Sequence, residues 1–403
     1  MTVETPEEET PQAVATEPEP VPEPEPILHK PRKARLKKLI RKREPGGRLV
    51  SLDAFRGLTI AGMLLVNNIA LDKRTPAQLM HAPWNGGIRF ADVIFPWFLL
   101  IVGVAIPFSA ASAKRKGLPL WRYDFKVLGR VLALIFLGCL IDSSSAKQPL
   151  FDLNVLQLIG LAYGVGSLLY ALPLSRRLAA ALGLLVIHWA AIKFLPVPGI
   201  GRGSFTENAN LIAHLNRTYL QPVHLDGVLS VIPTAALVLI GTIIGDILRW
   251  EIKPLPKVAA LLVTGGELLL LGWLWHFNLP FNKPVWTASY ILFTGGLGCL
   301  VLTLLYVLVD LTGFWWLPFP FVVFGSNAIV AYVGPILTKM YILREWQWTM
   351  PNGSRWPLEQ TLLHESITHF GPYKGGWIYT LSYMLAVWLV LLELYRRKLF
   401  LRV

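Results

Sequence analysis

His81-Ala-Pro-Trp-Asn-Gly-Gly-Ile-Arg-Phe-Ala-Asp-Val-Ile-Phe-Pro-Trp-Phe98 begins as a polar loop and ends as the entrance to an apolar run that continues to residue 112. That run meets the roughly 20 residues that a helix needs to cross a bilayer. A histidine, an asparagine, an arginine and an aspartate therefore gather where lipid should begin, and ionisable groups at such a boundary either snorkel or serve function. The preceding apolar segment opens with Ser51-Leu-Asp-Ala-Phe-Arg-Gly57 and closes with Val66-Asn67-Asn68. These two segments and the loop joining them carry most of the chemistry.

Working outward, the whole chain reads the same way. Of its 403 residues 54% are hydrophobic and 16% charged, against about 25% charged in soluble domains. The span-length criterion gives an all-α, polytopic membrane bundle of about ten helices. They are expected near 52–71, 90–112, 125–141, 153–172, 178–195, 228–249, 257–276, 286–309, 319–342 and 376–396. The ninth contains Gly334-Pro335 and is expected to kink there. Cys139 and Cys299 sit in apolar runs without metal-ligand spacing and read as packing residues.

The net charge of +13 raises the question of nucleic acid, but its distribution answers it. Residues 1–29 hold eight glutamates, many prolines and no Lys or Arg, a composition that cannot build a core. Residues 30–48 are a basic run beside the first apolar segment, which reads as a positive-inside anchor near anionic lipid rather than a nucleic-acid site. The chain thus divides into a disordered acidic tail with a basic juxtamembrane run, 1–48, and a transmembrane domain, 49–403. With the tail inside, the cation clusters Lys114–Lys116, Arg176–Arg177, Arg249–Lys257 and Arg396–Arg402 all fall on one side. Both termini are then expected in the cytoplasm and His81 at the outer face.

Neutral imidazole titrates near physiological pH, so His81 can serve as base, nucleophile or ligand. Asp92 can fix its tautomer, or can simply favour the helix N-terminus it occupies. Asn67, Asn68 and Asn85 supply nearby amides. At the inner face Ser51 is expected to cap the first helix, and Asp53 and Arg56 to pair at i, i+3; Arg56 can alternatively hold a phosphate. No His/Cys/Glu cluster has zinc spacing, so no metal is expected. Asp226…Ser230, Asn282-Lys283…Trp286…Ser289-Tyr290 and Gly325-Ser326-Asn327 put further polar groups beside apolar helices, either as helix-helix bonds or as a polar cavity.

Together, Ser-x-Asp-x-Phe-Arg-Gly at 51–57, Val66-Asn67, His81-Ala-x-Trp84-Asn85-Gly86, Ala91-Asp92…Phe95-Pro96-Trp97-Phe98, Val155-Leu156-Gln157, Pro196-Val197-Pro198-Gly199, Asp226 and the 282–290 and 325–327 motifs resemble the heparan-alpha-glucosaminide N-acetyltransferase family, over about residues 49–400. The resemblance implies an acyltransferase that carries an acetyl group from cytosolic acetyl-CoA, as co-substrate, to an amino sugar or glycan across the membrane. It implies His81, Asn67 and Asp92 as the catalytic set, with His81 either a base or a transient acetyl carrier. It also places Trp84, Asn85, Asn282, Lys283 and Asp226 around the acceptor, and Arg56, Asp53, Gln157, Ser326 and Asn327 around the donor. Two positions depart from the pattern: Leu158 stands where Arg is usual, and Asn154 where Gly is usual. The lysosomal relative's lumenal domain and extra first helix are not found, so a bacterial inner-membrane protein facing the periplasm is expected, with a homodimer as the implied assembly. The acceptor's identity and N- versus O-acetylation stay open. The alternative function is a transporter of a sugar or other polar metabolite, which predicts inverted repeats that the sequence does not show; a scaffold role has only residues 1–29 behind it.

Overall fold

A computed structural model of the chain describes residues 1–2, 49–350 and 353–401; residues 3–48, which hold the rest of the acidic tail and all of the basic run, read above as disordered tail and anchor, lie outside the described residues. The membrane portion is built from helices α1 (Val50–Asn68), α2 (Phe90–Arg115), α3 (Leu120–Ala146), α4 (Val155–Leu169), α5 (Leu174–Phe194), α6 (Val231–Arg249), α7 (Pro254–His276), α8 (Ala288–Leu305), α9 (Phe319–Ser326), α10 (Ala328–Thr338) and α11 (Leu358–Arg396). Nine of the ten expected segments each overlap one of these helices and the other, 319–342, is divided between α9 and α10, but fewer than the expected ten are spans. Seven helices are long and apolar enough to cross a membrane, or eight if the bent pair α9–α10 counts as one span. α4 falls short because its 15 residues rise only ~22 Å against a hydrocarbon layer of about 30 Å. α3 is long, but charged side chains (Arg122, Asp124, Lys126, Arg130) fill its first half.

Small residues set the close contacts. A Cβ added at Gly103 of α2 would overlap the backbone of Val238, and one at Gly241 of α6 would overlap that of Leu100, so α2 and α6 meet backbone to backbone as lipid-embedded helices do through small residues. Around that seam Leu99, Leu100, Val104, Leu237, Val238 and Ile244 are fully buried. Gly57 of α1 and Gly325 of α9 repeat the device: a side chain on either would enter the other helix's backbone.

Three sequence readings need correction. Ser51 does not cap α1; its hydroxyl is buried without a partner. The carboxylate of Asp310 does this work, accepting from the Val50 and Ser51 amides at 3.4 and 3.2 Å, so the cap arrives from 260 residues away and no local motif encodes it. The bend of the ninth segment lies not at Pro335 but at Asn327, where α9 and α10 turn by 79°. Asn327 leaves helical geometry at φ −127°, ψ 55°, and its buried amide reaches the C-terminal tail, donating to Leu399 O at 3.0 Å and accepting from Leu401 N at 2.9 Å. Pro335 stays inside α10. The last helix starts at Leu358, well before the expected 376, and breaks at Gly371 (φ 79°) ahead of Pro372.

Candidate active site

The His81 loop is held by its own turn chemistry. Gly86 N donates to Pro83 O at 2.8 Å, and Asn85 occupies the left-handed region at φ 56°, which asparagine tolerates better than most residues. The Asn85 Oδ1 then accepts from Asn282 Nδ2 at 3.2 Å, tying this loop to the segment before α8. Asn282 is itself fixed: its Oδ1 accepts from Val285 N at 3.2 Å, and its own amide N–H donates to Thr287 Oγ1 at 3.1 Å. Trp84 anchors the other flank, its indole N–H donating to Phe205 O at 3.2 Å.

Asp92 is the centre of the arrangement. Its buried carboxylate accepts from the Ala82 and Arg89 amides at 3.1 Å each through Oδ2, while Oδ1 lies 2.9 Å from His81 Nδ1. The Asp92 backbone carbonyl accepts from Tyr290 OH at 2.6 Å. With Nδ1–H donating to the carboxylate, Nε2 is the basic nitrogen, and the imidazole is 56% exposed while Asp92 is 3% exposed. Lys283 completes the group: its Nζ is 3.0 Å from His81 Nδ1, 3.4 Å from Nε2 and 3.7 Å from Asp92 Oδ1. Burial pulls the Lys283 ammonium below the ordinary lysine range, with Asp92 partly offsetting the effect.

His81, Asp92 and Lys283 line a cavity of about 410 Å³, together with Phe95, Asn154, Val155, Leu158, Gly227, Ser230 and Trp286. Its size suits a small group such as an acyl chain with a sugar ring. One polar edge carries a carboxylate-oriented imidazole and an amine; the facing walls are mostly apolar. That combination can take a proton from a nucleophile and hold a neutral acyl group, the two requirements of acyl transfer.

A profile described as "Heparan-alpha-glucosaminide N-acetyltransferase, catalytic" matches residues 48–277, more than half of the chain. The chain belongs to this family. It is 27% identical to the human heparan-alpha-glucosaminide N-acetyltransferase, over 74% of this chain and 54% of the human protein, and 27% identical to the mouse protein of the same name, over 76% and 56%. The chain thus spans about half the length of the curated relatives it matches. The whole loop from His81 to Asp92 and the wall at Asn154–Leu158 fall inside the matched region, whereas Lys283 and Asn282 follow it.

The structure does not bring every expected site residue to this cavity. Asn67 lines a second cavity of about 210 Å³ with Asn68, Ser145, Tyr332, Lys339 and Arg344. There Glu359 accepts from both Lys339 and Arg344 at 2.9 Å. Asp226 lines neither cavity, although its neighbour Gly227 does. Asp53 and Arg56 pair at 3.4 Å as their spacing suggests. Gln157 is buried and donates to Asp142 Oδ2 at 2.7 Å; Ser326 bonds Val323 O at 2.8 Å; Asn327 holds the tail. None of these five donor-site candidates lines either cavity. Conversely, Leu158, noted only as a departure from the family pattern, lies in the His81 cavity wall. Tyr290 and Ser230 belong to motifs quoted from the sequence, but the bonds that Tyr290 OH and the Arg89 amide make to Asp92 are not legible there. Among the described residues no group of three or more His, Cys, Asp or Glu side chains is placed to hold a metal ion.

Proposed function

We propose that this integral membrane protein is an acyltransferase that moves the acetyl group of acetyl-CoA to the amine of an amino sugar or glycan presented at the His81 face. The observation that carries the reading is the His81–Asp92 pair, 2.9 Å apart and opening into the cavity. His81 Nε2 removes a proton from the acceptor amine as its nitrogen attacks the thioester carbonyl; the C–N bond forms, the C–S bond breaks, and the proton passes to the departing thiolate. Asp92 stabilises the imidazolium that forms and keeps the tautomer that leaves Nε2 free. Trp84, Asn85 and Asn282 shape the loop around the acceptor rather than contact the reacting atoms. Asn67 and Asn68 supply amides to the second cavity, where they hold a part of a substrate remote from the transferred group.

At the opposite end of α1, Arg56, steadied by Asp53, is the proposed phosphate contact for the donor; its planar fork suits that task. Gln157, Ser326 and Asn327, expected at the donor site, have bonds that serve the fold. This assignment puts the termini in the cytoplasm and the acceptor across a bacterial inner membrane. The test is full-length protein in detergent, incubated with radiolabelled acetyl-CoA and a panel of amino sugars. Label in an amino sugar is expected. Absence of both transfer and CoA-ester binding would overturn the reading in favour of a transporter.

A further inference from the structure

The base at His81 already faces an amine. Lys283 Nζ lies 3.4 Å from His81 Nε2, the basic nitrogen, and 3.0 Å from Nδ1, so a small shift of the side chain brings its amine within the roughly 2.6–3.2 Å at which a base takes a proton. It is not a solvated surface lysine. Its side chain is 25% exposed, it lines the cavity, and it belongs to a segment fixed by the bonds of Asn282 and Thr287, so little ordering cost remains before attack. Burial also favours its neutral, nucleophilic form. Asp92, at 3.7 Å, acts the other way but does not reach the nitrogen as closely as the imidazole does.

We propose that Lys283 is a self-acetylation site: when an acyl thioester occupies the cavity and no acceptor amine does, the protein acetylates its own lysine. The step balances without any further reagent. The Lys283 ammonium first yields one proton to solvent. The neutral Nζ attacks the thioester carbonyl, a C–N bond forms and the C–S bond breaks. The second nitrogen proton travels through His81 Nε2 to the thiolate, which leaves as a thiol. The product is an amide that water does not readily reverse, so the modified chain is switched off: the acetyl group fills the acceptor's place against His81. An acceptor amine competes by displacing Lys283 from the base. This inference rests on the acyl-transfer reading above.

The experiment uses the full-length protein in detergent with isotope-labelled acetyl-CoA, with and without glucosamine, followed by peptide mass spectrometry and a parallel transfer assay. Lys283 should gain label at least about tenfold faster than exposed Lys73, glucosamine should slow the labelling, and transfer activity should fall in step with it. His81→Ala should slow Lys283 labelling by about 10²-fold or more, the usual effect of losing a general base. Transfer to glucosamine with Lys283 labelled no faster than Lys73 would overturn the self-acetylation alone. A chain inert toward acetyl-CoA is then treated with p-nitrophenyl acetate. Preferential labelling of Lys283 by that ester would keep the reactive lysine and overturn the thioester reading, whereas labelling equal to Lys73 would overturn both.

Discussion

Asp92→Asn separates orientation from structure at this site. The wild-type carboxylate serves two sets of donors: Oδ2 takes the Ala82 and Arg89 amides at 3.1 Å, and Oδ1 faces His81 Nδ1 at 2.9 Å. An amide has one acceptor oxygen. Placing it toward the two backbone N–H groups satisfies two part-buried donors, so that orientation wins. The new NH₂ then points at His81 Nδ1, which must become an acceptor, and the ring proton moves to Nε2. The base is thereby blocked while the loop stays in place. A mis-set tautomer of this kind costs up to ~10⁴ in rate, and loss of a general base about 10²- to 10⁴-fold, or roughly 3–5 kcal/mol in the barrier. The assay is acetyl transfer from labelled acetyl-CoA to glucosamine, read beside the melting temperature and CoA-ester binding. We expect kcat to fall by about 10²-fold or more with binding kept. A variant retaining activity within about threefold would refute the assignment of Nε2 as base and of Asp92 as its orienter.

Other outcomes follow from the same geometry. Cysteines placed at 78 and 360 should react with an impermeant maleimide in intact cells and one at 116 should not; the reverse pattern would break the vectorial reading. Deleting the acidic stretch through Leu28 should leave turnover unchanged, and a loss beyond about tenfold, roughly 1.4 kcal/mol, would contradict it. Lys283 faces Asp92 and His81, and its pKa is depressed in the fold relative to 10.5. The unfolded chain therefore binds more protons between the folded value and 10.5, and stability rises with pH across that window; Lys283→Met should lack this rise in pH-dependent melting, and a rise equal to wild type would disprove it. Asn327→Ala removes two bonds to the tail and should cost about 1–3 kcal/mol, seen as a lower melting temperature; an unchanged melt with lost CoA-ester binding would return Asn327 to the donor site.

The sequence and the structure agree most closely where a single segment carries its own instruction. Apolar run length found the helical regions but overcounted the spans, with seven or eight helices able to cross a membrane where about ten were expected, because run length is a property of consecutive residues while breaks such as the one at Asn327 are not. The pairing of Asp53 with Arg56 is legible for the same reason: three residues of helix bring the two side chains together. The Asp310 cap on α1 is not, since the donor amides and the acceptor carboxylate are 260 residues apart, and any local candidate such as Ser51 would be chosen in its place. The bend shows a second kind of miss. Proline is the usual local cause of a kink, but Asn327 has tail carbonyl and amide partners that make leaving the helix favourable there, and those partners lie more than 70 residues on.

The site itself divides along the same line. His81 and Asp92 are legible because they stand eleven positions apart, across the loop and the first turn that returns to it, so one short stretch contains base, orienter and the amides that lock the carboxylate. Lys283 could be placed near the acceptor by motif, but nothing in its neighbourhood shows that its nitrogen would rest against the imidazole; that depends on Asn282 reaching Asn85 across 197 positions. Asn67 marks the limit from the other side. It sits at the end of α1, which leads into the loop that carries His81, so proximity along the chain argues for one shared site. The structure assigns the two to different cavities, one walled by α4 and the segments before α6 and α8, the other by α10 and its extension. Chain proximity fixes which end of a helix a side chain is on; only the packing of the other helices decides which space it faces.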